Sequence, residues 1–277
     1  MRIKLIAFGL LLTTLFFSCK KDELSDTVNP ANSYVPLLSK VMVDNQSVCE
    51  YTYNDSKLIS QEKTRLDFIN FQYNENGMLL TAEYYGNDDV LTNDTKTFET
   101  AINNKEWVTP ENGKKACTIT YEYDNNGKLS KNIYSTESNG SAEYSEYSEF
   151  SYDNNNRISR QTMYCENTAT GYIDYSYDDN GNVIKEMLFY LQPSGIAELI
   201  STKAYNFDDQ KNPYRSTSRL MTPGVNTNMN NIIKETCTNY LSASQGPDEE
   251  QITENSYEYN VMGYPVSKNG NTTFIYK

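Results

Sequence analysis

Residues Thr118–Tyr134 read Thr-Ile-Thr-Tyr-Glu-Tyr-Asp-Asn-Asn-Gly-Lys-Leu-Ser-Lys-Asn-Ile-Tyr, and their pattern decides the fold. Ile119, Tyr121 and Tyr123 fall on one side of an extended chain, with Thr118, Thr120 and Glu122 on the other. That two-residue period is the mark of a half-buried strand. Asp124-Asn125-Asn126-Gly127 then supplies residues that tolerate or prefer positive φ, as a short hairpin loop requires. A second strand follows, so the unit is strand, tight turn, strand.

Degraded copies of this unit recur along most of the chain. They lie at Val48–Ile59, Phe71–Leu79, Phe150–Ile158, Tyr175–Val183 and Tyr257–Val266. Tyr84–Val90 is a weaker candidate, and in Tyr205–Pro213 the pair Asn-Pro replaces Asn-Gly. The second aromatics of the copies, this variant included, are Tyr53, Tyr73, Tyr123, Tyr152, Tyr177, Phe207 and Tyr259, spaced by 20 to 52 residues. The short spacings hold two strands and two turns; the long ones hold a blurred copy or an insertion. Three interruptions stand out: Asn103–Lys115 with the single tryptophan Trp107, Arg219–Asn231, and Ser242–Glu250.

No helical period appears beyond the N-terminal segment, so the chain reads as all-β. Hairpins in series make a long antiparallel meander, and about fourteen to sixteen strands are expected in one large curved sheet. Tyr, Ile, Leu and Val mark one face, and an apolar face of that extent has to be covered. Without helices to cover it, the sheet must curl, double over or close. A round barrel of this strand number leaves a lumen too wide for side chains to fill. An open or flattened barrel with an insertion tucked inside is therefore predicted. It is not expected to span a membrane, because a lipid-embedded barrel needs an apolar outer band and the second face here is polar.

The N-terminus gives an address. Met1-Arg2-Ile3-Lys4 precedes an apolar run, Leu5–Phe17, and then Ser18-Cys19. A charged start, a short apolar core and a small residue make residues 1–18 a signal peptide, too short for a comfortable transmembrane helix. Residues 19–36 lack periodicity and suit a flexible tether, leaving 37–277 as a single β domain. Without residues 1–18 the chain carries 22 basic and 37 acidic side chains, a formal charge of −15. That balance argues against nucleic acid and against docking on anionic lipid. Cys49, Cys117, Cys165 and Cys237 read equally as two disulfides of an oxidising compartment or as small buried apolar residues.

Several motifs carry resemblances. Leu15-Phe16-Phe17-Ser18-Cys19 resembles a bacterial lipobox, which implies a lipid on Cys19. Cys19-Lys20-Lys21-Asp22-Glu23 resembles the export signal that sends Bacteroidota lipoproteins to the outer face of the outer membrane; a periplasm-facing location is the alternative. Asp26-Thr27-Val28 resembles a Bacteroidota O-glycosylation site, which implicates Thr27. Tyr121–Leu129 and Tyr175–Val183 resemble the YD repeats of wall-associated and Rhs-type proteins. With Asn212-Pro213-Tyr214 and Gly263-Tyr264-Pro265-Val266, the stretch from Leu37 to Lys277 resembles an uncharacterised family of Bacteroidota lipoproteins with a porin-like β fold. The resemblance implies an architecture and no activity.

Catalytic chemistry finds little to stand on. With no histidine, Ser-His-Asp and Cys-His arrangements and His-ligated metals are excluded. The cysteines are far apart, with no Cys-x-x-Cys and no zinc ribbon. The acidic pairs Asp88-Asp89, Asp178-Asp179, Asp208-Asp209 and the run Asp248-Glu249-Glu250 suit a glycosidase in principle, but most occupy turns, where Asp is a turn former. Asp124–Gly127 lacks the alternating carboxylates and distal Glu of a calcium loop. Catalytic residues, metals and cofactors are all expected to be absent. Trp107, Tyr144, Tyr147 and Tyr240 lie outside the repeat register and are the candidate ligand-facing aromatics. The expectation is a lipid-anchored, non-enzymatic envelope module for a glycan, a peptide or an outer-membrane protein. A structural envelope protein without a small ligand is the alternative, and a carboxylate-dependent glycosidase comes third.

Overall fold

Each clear copy of the unit folds as a hairpin, and the hairpins join into one antiparallel sheet; the weaker candidate Tyr84–Val90 lies partly outside the described residues. The computed structural model describes residues 35–86, 107–136, 146–220, 222–240 and 250–277, the side chains of 217–220 excepted. Cys19, Thr27 and Tyr144 lie outside them, as do the signal peptide and nearly all of the tether. Pro36–Lys277 forms a unit of its own. Its strands are β1 (Leu38–Val43), β2 (Gln46–Tyr53), β3 (Ile59–Thr64), β4 (Asp67–Tyr73), β5 (Leu79–Gly86) and β6 (Lys114–Tyr123). They continue with β7 (Leu129–Thr136), β8 (Glu146–Tyr152), β9 (Ile158–Cys165), β10 (Thr168–Tyr177), β11 (Val183–Leu191) and β12 (Ala197–Phe207). The last five are β13 (Ile232–Asn239), β14 (Gln251–Glu254), β15 (Tyr257–Tyr259), β16 (Pro265–Lys268) and β17 (Thr272–Tyr276). Seventeen strands among the described residues slightly exceed the expected number.

Every strand from β1 to β13 pairs with the next, and the C-terminal strands β15, β16 and β17 return so that β17 pairs with β1. The ends of the sheet are thus β14 and β15, which follow each other in the chain across Asn255 and Ser256. No ladder joins them, and the sheet stays unclosed. The junction is fixed instead by the Asn255 N–H donating to Ile233 O at 2.8 Å and the Tyr257 hydroxyl donating to Ile232 O at 3.1 Å. No described helix is long and apolar enough to cross a membrane, a statement that does not bear on strands.

The turns explain why the repeat has the sequence it has. In each, the first residue accepts, through its side-chain oxygen, the N–H four residues on: Leu58 to Asn54, Met78 to Asn74, Lys128 to Asp124, Arg157 to Asp153, Asn182 to Asp178 and Tyr264 to Asn260. Only the fourth residue takes a positive φ. It is Gly77, Gly127, Gly181 or Gly263 in four copies, and Lys57 or Asn156 where glycine is lacking. Gly127 has φ 75° and no atom within 4 Å of an added Cβ. Gly127→Val is therefore expected to cost only the backbone strain, about 1–2 kcal/mol. The check is chemical denaturation; an unchanged midpoint would mean that the turn refolds another way.

The aromatic pair of each copy divides its labour. The first ring is core: Tyr51, Phe71, Tyr121 and Tyr175 are buried with Ile59, Leu79, Leu129, Ile158 and Val183, the apolar residues that follow the turns. The second is half-buried and donates its hydroxyl backwards to the post-turn residue of the preceding unit. Tyr73 reaches Ile59 O at 2.7 Å, Tyr123 Leu79 O at 2.8 Å, Tyr152 Leu129 O at 2.7 Å and Tyr177 Ile158 O at 2.6 Å. Each such bond contributes on the order of 1 kcal/mol and sets the spacing between neighbouring hairpins.

One insertion does tuck against this core. The Asn212-Pro213 variant does not start another strand. Proline lacks the N–H that a ladder needs, and a 3-10 helix runs from Pro213 to Leu220 instead. Tyr214 at its start packs on the main core cluster, with its ring edge-on to Phe274 at 6.1 Å. Ser216 accepts the Leu38 N–H and bonds the Tyr53 hydroxyl. The four cysteines stand as separate, partly buried thiols, and burial pushes the Cys49 thiol up to about 12.

A cavity where the repeat breaks

The tyrosine ladder has a second component along its turn-bearing edge. In two successive copies the residue closing the turn lays a cation over the next copy's tyrosine: the Lys128 ammonium sits 4.9 Å from the Tyr152 ring centre, and the Arg157 guanidinium 4.6 Å from that of Tyr177. The next copy breaks both habits. Asn182 stands where Lys128 and Arg157 stand, and Phe207 replaces the tyrosine, so there is neither a cation nor a hydroxyl to continue the ladder.

The segment 222–231 closes the gap instead, held by buried asparagines. Asn182 is 0% exposed. Its Oδ1 accepts the N–H groups of Met229 at 2.8 Å and Asn230 at 2.9 Å, and its Nδ2 donates to Asp178 Oδ2 at 2.8 Å and Asn230 Oδ1 at 3.0 Å. Asn228 Oδ1 accepts the Val183 N–H at 2.7 Å. Asn212 donates to Asn228 O at 2.9 Å, and Asn231 donates to both oxygens of Asp208. Asparagine suits this position because one amide satisfies donors and acceptors of two backbones at once.

Between the stalled ladder and this segment lies a cavity of about 320 Å³. Tyr152, Arg157, Ile158 and Tyr177 form its sheet-side wall; Asn156, Asn180 and Gly181 its turns; Arg215, Pro223, Thr227 and Met229 the wall opposite. Such a volume is at the small end of the range for organic ligands. Burial raises both tyrosine hydroxyls, that of Tyr152 to about 12, so both stay protonated donors. Arg157 is oriented by Asp153 Oδ2 at 2.8 Å from its Nε and by Asp178 O at 3.0 Å from its Nη1. Arg215 Nη1 donates to Thr227 O at 2.8 Å, which ties the two halves of the far wall together. Among the described residues no carboxylate lines the cavity.

The aromatics singled out in the sequence sit elsewhere. Tyr147 lies on the face opposite the core, stacked on Tyr164 at 4.6 Å, with Lys131 3.6 Å from its ring centre on β7. Both its faces are thereby engaged. Trp107 is half-buried, with the Lys63 ammonium 5.5 Å from its ring centre. Tyr240 follows β13 and donates its N–H to Ile200 O at 2.8 Å. None of the three lines the cavity. Its residues were missed because Arg157, Tyr152 and Tyr177 look like ordinary repeat positions; the available signal was the coincidence of Asn182 and Phe207. Asp178 and Asp208 serve the turns and the asparagine clamp, and among the described residues no three metal-ligating side chains converge.

No protein-family profile matches the chain, and no curated protein does. Solved structures do. A porin-like protein from Bacteroides uniformis aligns at a TM-score of 0.39 and 12% identity, over 87% of this chain and 96% of its own. A porin-like protein from Bacteroides vulgatus aligns at 0.37 and 10%, over 88% of this chain and 99% of its own. A TcdB2–TccC3 structure aligns at 0.30 and 11%, over 82% of this chain but 10% of its own. At such identities no residue's role transfers.

Proposed function

We propose that this protein is a non-enzymatic binding module of the bacterial cell envelope, anchored by a lipid on Cys19 and turned outward from the outer membrane. The signal peptide, the lipobox-like Leu15–Cys19 and the acidic, histidine-free composition support the address and the lack of catalysis. The binding reading rests on the cavity. Both its walls are fixed by hydrogen bonds before any ligand arrives, and a preformed site loses little entropy on binding. Its lining has hydroxyl, amide and guanidinium groups beside apolar surface, and no pair of carboxylates at glycosidase spacing.

Glycan and peptide arrays, with pull-down from native membranes, identify the ligand, and Met229→Trp locates it. Met229 is 45% exposed on the cavity wall, so an indole there is accommodated by the fold and fills the space. Binding is expected to fall by at least about tenfold with little change in stability. No ligand in any of the three screens would count decisively against the proposal. An envelope-organising role without a small ligand is favoured by the filled aromatic core around Tyr214, and predicts that Met229→Trp changes nothing measurable.

A further inference from the structure

The cavity's electrostatics set it apart from the rest of the chain. Acidic side chains outnumber basic ones 37 to 24, yet among the described residues this lining carries two arginines and no carboxylate. Arg157 is ion-paired with Asp153, but its Nη2 makes no hydrogen bond among the described residues. Arg215 makes no ion pair among them; the Thr227 carbonyl positions it and leaves Nε and Nη2 to spare. A guanidinium held by a backbone carbonyl is pre-set for a planar anion, because two parallel N–H groups match the two oxygens of a carboxylate.

The remaining lining describes the body of the ligand. Ile158, Pro223 and Met229 give apolar contact, and the Asn180 amide, without a partner among the described residues, gives hydroxyl-matching donors and an acceptor. Hydroxyls, an apolar ring face and a carboxylate together make an acidic sugar. We infer that the cavity binds a hexuronate-type sugar, its carboxylate on Arg215 and its ring against Met229 and Ile158. This rests on the cavity being the ligand site.

The test is calorimetric titration of the full chain with uronate trisaccharides, their carboxyl-reduced neutral counterparts, and inorganic phosphate. The uronate is expected to bind at least about tenfold more tightly than the neutral sugar, to weaken with added salt, and to lose about tenfold in Arg215→Gln, whose melting temperature falls by no more than about 4 °C for the lost bond to Thr227. Met229→Trp should abolish it. Phosphate as tight as the uronate, or a uronate affinity indifferent to Arg215, overturns the inference. A neutral sugar or peptide that binds there at least as tightly as the uronate, and that Met229→Trp blocks, overturns the inference and leaves the binding module standing. If nothing that Met229→Trp blocks ever binds, both fall.

Discussion

Asn182→Ala is expected to destabilise the protein by about 3 kcal/mol and to dissolve the cavity with it. The substitution removes the acceptor of two backbone N–H groups, at Met229 and Asn230, and the donor to Asp178 and Asn230. Water can reach few of these groups, since Asn182 is fully buried, and a buried donor left unmade costs about 1–3 kcal/mol. The loss falls on one segment, so hydrogen exchange should rise first at residues 224–231 while Leu79 and Leu129 stay protected. Asn182→Asp is the informative companion. It keeps the acceptor but loses the donors and sets a carboxylate beside Asp178. A uniform rise in exchange across the sheet, instead of a local one, would show that the asparagines are ordinary core residues and not a clamp.

The second large effect is a pH dependence centred on Glu62. Its carboxyl lies on the core side of β3, and burial, with the neighbouring Asp67 charge, raises it from 4.5 to about 7; the Cys49 thiol, donating at 3.8 Å, offsets this in part. Between those two values the folded protein holds a proton that the unfolded chain has released. Stability therefore falls as pH rises from about 4.5 to about 7, and is flat above. Glu62→Gln removes that slope. The variant is expected to match the parent near pH 4.5 and to exceed it by about 2 kcal/mol near pH 8, after allowing for the carboxyl's partial exposure. Urea titrations across that range are the check, and parallel profiles for the two proteins would show that Glu62 ionises as an ordinary surface carboxylate.

Much of this fold was legible in advance. The alternation at Ile119–Tyr123 gave the strands, and the Asp/Asn at the first turn position and Gly at the fourth gave the hairpins. Recurrence of the unit gave a meander in one large curved sheet, and the structure added that this sheet stays unclosed. Two features were not legible. The tyrosine hydroxyls reach back to carbonyls 14 to 44 residues earlier, a bond with no local signature. The Asn-Pro variant was read as another turn, whereas the missing proline N–H and the interior space available together made it a 3-10 helix.

Outside the Asn212-Pro213 copy, the sequence by itself determined the local choices: where strands alternate, where turns fall, which residue in each turn bears positive φ, and what the N-terminal segment resembles. These depend on sterics and hydrogen bonds within five or six residues, and so are written in contiguous stretches. Only the tertiary structure decided that β17 returns to β1, that Tyr214 enters the core, and that Asn182, 46 positions before Asn228 in the chain, joins it in holding one loop over Arg157. Thr118–Tyr134 is the unit that builds the sheet. The cavity lies where that unit fails twice in succession, because a wall is needed wherever the ladder can no longer supply its own.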